Sequence, residues 1–167
     1  MKAVIALSRV FTLPQTKDAP QKVANERWRG LRIGNLALLV PHDCGGEVLD
    51  DARFASLPHT ANWCRGLINL RGRIVPAFDL HEFFGLTHLR EKKQRWLVLG
   101  GGEEAVAFPI DALPQTLTSA STAQVQPAAL PNALRAFISV GYRIEDELWL
   151  KFDHRAFFRA ITPQVAA

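Results

Sequence analysis

Residues 63–85 read WCRGLINLRGRIVPAFDLHEFFG, and this stretch decides the architecture. Leu67–Leu70 and Ile74–Phe78 are short runs of strand-forming residues, and Arg71-Gly72-Arg73 turns one into the other. Glycine supplies the positive φ that a tight hairpin needs. Asp79 and Glu82 follow at capping-box spacing, so the Asp79 carboxylate can accept from an orphan helix N–H and Glu82 can reach back. Leu80, Phe83 and Phe84 give the ensuing helix one apolar face, and Gly85 stops it. The unit is a hairpin closed by a single-turn helix. It carries no nucleophile, metal cluster or phosphate loop, which points to binding rather than catalysis.

A second copy of this unit ends the chain. Phe137–Ile144 and Leu148–Phe152 flank a turn at Glu145-Asp146, and Asp153 precedes a helix bearing Phe157 and Phe158. Phe78, Asp79, Phe83 and Phe84 recur in register as Phe152, Asp153, Phe157 and Phe158, which predicts two related lobes. Further hairpins are expected around Gly34-Asn35 and around Gly100-Gly101-Gly102, the latter with Val106, Phe108 and Ile110 on one face. Leu113–Thr118 adds a strand, and residues 119–132, rich in Ala, Ser, Gln and Pro, read as an irregular loop. Short strands with frequent turns and no long amphipathic helices predict a mainly β fold of two small barrels packed side by side with short helices. The expected boundaries are an N-terminal extension over 1–27, a folded region over 28–160 with lobes at about 28–86 and 95–160, and a tail over 161–167.

The 167 residues are 48% apolar and 22% charged, enough for a packed interior. The net charge of +4 is mild, and the arginines are scattered except for Arg90, Lys92, Lys93 and Arg95, read as a solvated linker. Two cysteines without a C-x-x-C pair suit a reducing cytosol. No apolar run is long enough to span a bilayer, and the first residues lack a cleavage site, so the expected location is cytoplasmic without direct membrane insertion.

The string Gly66–Pro76 with Phe78-Asp79-Leu80 and Phe84-Gly85 resembles the CheW-like domain family, adaptors of bacterial chemotaxis and of pilus-driven twitching. Gly46-Glu47-Val48-Leu49 is similar to that family's short acidic motif, and the similarity runs from about Trp28 to Arg159. Ser139-Val140 stands where the family has Gly-Val, and Cys64-Arg65 is an unusual lead into Gly66. The resemblance implies two five-stranded barrels of SH3-like or OB-like form. It also implies a non-catalytic scaffold coupling the cytoplasmic tip of a methyl-accepting chemoreceptor to the regulatory domain of a histidine autokinase, without a cofactor. Carried over by position, Glu47 and Arg71 are the charged pair associated with receptor contact, and Asn69, Gly72 and Arg73 share the motif. Length, Trp28, Trp63 and the extension lean toward the twitching branch.

Val75 completes the expected partner-binding set, as an apolar contact on a hairpin edge. His42, Cys44, His59 and Cys64 are ligand types for zinc but match no familiar spacing, so no metal is expected. No serine sits in a nucleophile elbow, and the three glycines at 100–102 lack the lysine and helix of a phosphate loop. The alternative function is a small basic β-barrel binding single-stranded nucleic acid, which requires exposed aromatics interleaved with cations.

Overall fold

The structure, a computed structural model, describes residues 26–88, 94–118, 121–123 and 130–166. The expected extension up to residue 25, the cations Arg90, Lys92 and Lys93, and most of the expected loop over 119–132 lie outside them. Among the described residues twelve strands run β1 (Arg27–Ile33), β2 (Leu36–Pro41), β3 (Gly46–Leu49), β4 (Phe54–Ala55), β5 (Cys64–Leu70), β6 (Arg73–Phe78), β7 (Arg95–Leu99), β8 (Val106–Ile110), β9 (Gln115–Thr118), β10 (Ser121–Ala123), β11 (Ile138–Ile144) and β12 (Glu147–Phe152). The helices are α1 (Leu80–Phe84), α2 (Asn132–Arg135) and α3 (His154–Ile161).

The two hairpin–helix units match residue for residue. Cys64 pairs with Phe78 as Ile138 does with Phe152, and each hairpin has a bulge just after that pair. In the second hairpin the bulge falls at Ser139-Val140. Arg71-Gly72 and Glu145-Asp146 form the two turns, all four residues at positive φ. The Asp79 amide donates to Trp63 O (2.6 Å) and the Asp153 amide to Phe137 O (2.9 Å). Both aspartates cap their helices, Asp79 Oδ1 accepting from the amides of His81 and Glu82 and Asp153 Oδ1 from that of Ala156. Gly85 ends α1 in the left-handed conformation, φ 64°.

The described strands form two six-stranded sheets, β9-β1-β2-β12-β11-β10 and β3-β7-β8-β6-β5-β4. Their connectivity is equivalent. In each, a repeated hairpin lies parallel to the inner strand of a hairpin from the other half of the chain: β12 beside β2, and β6 beside β8. The expected sequential lobes are therefore corrected, because β1–β2 belongs with the C-terminal strands and β7–β8 with the N-terminal ones. Each half completes the other's sheet. The expected loop contains β10 and begins α2 at Asn132, and the expected tail is docked: Ile161 is buried, and the Ala61 amide donates to Val165 O at 2.9 Å.

This exchange produces three apolar layers. Trp28, Leu39, Tyr142 and Trp149 fill the concavity of the first sheet, while Ile68, Val75, Trp96 and Val98 fill that of the second. Between the sheets lies the largest core, reached by Leu36, Leu38 and Val40 from β2 and by Val106, Phe108 and Ile110 from β8. Strands β2, β7 and β8 are buried on both faces, as strict alternation between two layers requires. Phe157 is fully buried at the centre, with ring centroids 5.3–5.6 Å from those of Phe83, Phe84, Phe137 and Phe152. It touches both repeated units at once. Phe157→Ala should cost about 3–5 kcal/mol, measured as a fall in the urea midpoint, with one cooperative transition reporting both sheets.

Candidate functional site

The hairpin β5–β6 ends in an exposed tip whose shape is set by two residues. Arg71 has φ 51° and Gly72 φ 86°, the two positive values of a type I′ turn, which matches the twist of the flanking strands. A Cβ on Gly72 would meet nothing within 4 Å, so the backbone angle, and not space, calls for glycine there. The Gly72 amide donates to Asn69 Oδ1 at 2.8 Å, which places Asn69 as the brace of the turn. At the base of the hairpin Gly66 is required twice over: its φ is 111°, and a Cβ would lie 2.2 Å from Ala55 O on the neighbouring strand.

Arg71 Nη2 donates to Glu47 Oε1 at 2.7 Å. Glu47 stands on β3, the opposite edge of the sheet order, so the ion pair shows how tightly this sheet curls. The side chains are 80% and 35% exposed, and such a pair contributes about 0–1 kcal/mol. Its effect is positional: it holds the guanidinium over β3. Arg73 is exposed beside it.

Val75 is a correction. It is fully buried under the second sheet with Ile68 and Ala77, while Ile74 is 61% exposed. The turn has two residues, so Leu70 pairs with Arg73, Asn69 with Ile74 and Ile68 with Val75. Cross-strand partners share a face, and polar Asn69 therefore carries Ile74 outward. Reading Arg71-Gly72-Arg73 as the turn leaves that parity open. Ile74, with half-buried Leu67 and Pro76, gives the outer face of the hairpin an apolar centre beside exposed Asn69 and Arg65, and Arg71 and Arg73 stand at the tip above it.

The sequence profile of the CheW-like domain matches residues 28–162. The chain belongs to the CheW-like domain family. It is 32% identical to Protein PilI of Pseudomonas aeruginosa over 150 residues, 81% of this chain and 78% of that protein. It is 30% identical to the chemotaxis protein CheW of Helicobacter pylori over 89 residues, 53% of this chain and 54% of that one. The crystal structure of the scaffolding protein TtCheW from Thermoanaerobacter tengcongensis superimposes with a TM-score of 0.65 at 20% identity, over 87% of this chain and 94% of that one. At that identity the likeness is one of fold, and the mainly β, two-sheet architecture agrees with it.

Elsewhere in this CheW-like domain, His42, Cys44, His59 and Cys64 do not converge. Among the described residues the group of three or more metal-ligand side chains is Asp79, His81 and His88. The aromatic residues Trp28, Trp96, Trp149, Phe78, Phe108 and Phe152 are buried, so the described strands present no stacking ladder for the nucleic-acid alternative. No helix among the described residues is long and apolar enough to cross a membrane.

A concavity of about 550 Å³ opens between β12, α3 and the turn after β2, lined by Trp28, Cys44, Lys151, His154 and Arg155 among others. Burial pushes the Cys44 thiol above its ordinary value. Burial first, and the Arg155 cation next, hold the His154 imidazole below its usual 6.5, against the pull of Asp153 and Glu104.

Two outcomes follow from this geometry. Arg71→Asn creates the Asn-Gly pair preferred in this turn, and relief of the left-handed strain should outweigh the lost ion pair, raising stability by up to ~1 kcal/mol in urea denaturation. For His154, the folded chain favours the neutral ring. Above pH 6.5, the ordinary value, both states hold it neutral. As the pH falls below that, the unfolded chain takes up the proton first. Stability should therefore decline on acidification through this window, and His154→Gln should flatten part of the decline in urea midpoints collected from pH 7 to about pH 5.

Proposed function

We propose that this chain is a scaffold of a chemosensory array, and that the tip of β5–β6 is one of its docking surfaces. In this reading Glu47, Asn69, Arg71, Gly72 and Arg73 form the polar part of the contact and Ile74 its apolar part. The partners are the regulatory domain of a histidine autokinase and the cytoplasmic tip of a methyl-accepting chemoreceptor. Membership of the CheW-like family supports the scaffold role. The greater span of the match to PilI than to CheW, 81% against 53% of the chain, favours a pilus-driven output.

One observation carries the reading. A long cation occupies a left-handed turn position at φ 51°, 80% exposed, where Asn or Gly would be locally more stable. Strain retained at an exposed tip fits a demand from outside the fold. The side chains gathered there are a guanidinium, a carboxylate, an amide and aliphatic carbons, groups that bind rather than react. An apolar centre beside charged side chains suits reversible assembly, and signalling then depends on contacts that differ between kinase-on and kinase-off arrangements.

The test is capture of purified kinase regulatory domain and of a receptor signalling fragment by the intact chain and by Arg71→Glu. The variant should keep its circular dichroism and cooperative unfolding, because the wild-type pair is exposed, yet lose more than tenfold in affinity for at least one partner. Unchanged affinity for both would overturn the assignment of the surface.

A further inference from the structure

The seam between the sheets holds a second group of polar side chains that the docking surface does not use. Asp79 caps α1, His81 lies within that helix, and His88 follows it. Each offers one ligand atom, and the three atoms lie within 4.8 Å of one another. His81 is fully buried. Its Nε2 stands 2.6 Å from Asp111 Oδ2, and the Gly34 amide points at both, 2.5 Å from Asp111 Oδ2 and 3.1 Å from His81 Nε2. A carboxylate only accepts, and the Gly34 amide makes its shorter contact to Asp111, so the 2.6 Å contact assigns the proton to Nε2 and leaves Nδ1 a lone pair.

That lone pair is the unusual feature. His81 Nδ1 is buried with no hydrogen-bond partner among the described residues, and it faces Asp79 Oδ1 at 3.8 Å. Oδ1 already accepts from two helix amides, while Oδ2 turns toward His88 Nε2 at 4.0 Å. A buried lone pair opposite a carboxylate is electrostatically unfavourable until a cation lies between them. The imidazole–carboxylate contact behind it, His81 to Asp111, is the arrangement that orients a metal-bound histidine and raises its basicity.

We propose that Asp79, His81 and His88 form a binding site for a divalent transition metal of the zinc class, with Asp111 as the residue that positions His81. Two imidazoles and one carboxylate favour zinc over calcium or magnesium, which prefer all-oxygen ligands. Metal–ligand bonds of about 2.0–2.1 Å set tetrahedral ligands roughly 3.3 Å apart, so separations that reach up to 4.8 Å close by about 0.5–1.5 Å on loading, most of it by movement of His88. The His88 ring stacks on His81 with centroids 3.8 Å apart, and loading turns it out of that stack to aim its lone pair at the ion. His88 is exposed and lies beyond the helix, so this rotation is local. An occupied site ties together the β1–β2 turn, α1 and the end of β8, elements drawn from both sheets.

The experiment uses the full chain without a histidine tag, titrated with zinc chloride and checked by metal analysis after dialysis. One equivalent should be retained and the thermal midpoint should rise with zinc. Cobalt should give the intense visible bands of tetrahedral coordination. His88→Ala, which alters an exposed side chain, should fold normally and lose the retained equivalent. Asp111→Asn, which keeps an acceptor for the Gly34 amide, should weaken zinc binding about 10–100-fold. Failure of the wild-type chain to retain zinc, or equal retention by His88→Ala, would overturn the site; a proton on His81 Nδ1 would then account for the facing carboxylate.

Discussion

Phe157 is the point at which both halves of this chain are tied together. Its ring meets Phe83 and Phe84 of one hairpin–helix unit and Phe137 and Phe152 of the other, and the core around it is walled by β2 and β8, the strands each half contributes to the other's sheet. Aromatic rings bury large areas and hold preferred edge and offset geometries. A cluster of them therefore fixes the angle between two sheets more firmly than aliphatic packing of equal area. Each sheet also covers a smaller core of its own, and the exposed tip of β5–β6 projects from one of them.

The tip obeys a different logic from the interior. Inside, each choice of residue agrees with local structure: aspartate at the caps, glycine at the left-handed stop, unbroken apolar runs in strands buried on both faces. At the tip, Arg71 disagrees with its own backbone while Asn69, Gly72 and Glu47 are arranged to hold it. Conflicts of that kind concentrate where a protein meets something else. The Glu145-Asp146 turn makes the comparison instructive, for it repeats the backbone with two acidic residues at positive φ. The same scaffold thus presents opposite charge at its two equivalent tips.

Much of this was legible in the sequence because it is local. Capping residues, turn dipeptides and the paired Phe-Asp-x-x-x-Phe-Phe units predict the hairpins and helices where they lie, and the family resemblance points to Glu47 and Arg71, which meet at 2.7 Å. The failures have a common physical origin. Which hairpin completes which sheet is a matter of pairing across most of the chain, and no local pattern encodes it. Ser121–Ala123 lacks β-branched alternation and forms a strand because β11 offers it an edge. The side on which Val75 points hinged on whether the turn holds two residues or three, since one step of register exchanges the two faces of a strand. Val165 docks through a main-chain carbonyl, which any residue could provide.

The reciprocal loan of hairpins also governs how the molecule comes into being. β2 has β1 on one edge but finds its parallel neighbour on the other in β12, more than a hundred residues further on, so during synthesis that edge of the first hairpin stays open until β12 has emerged. Loop-closure entropy makes such distant pairings slow. The newborn polypeptide consequently passes through an interval with open sheet edges, a window in which chaperones or neighbouring copies compete for the same hydrogen bonds.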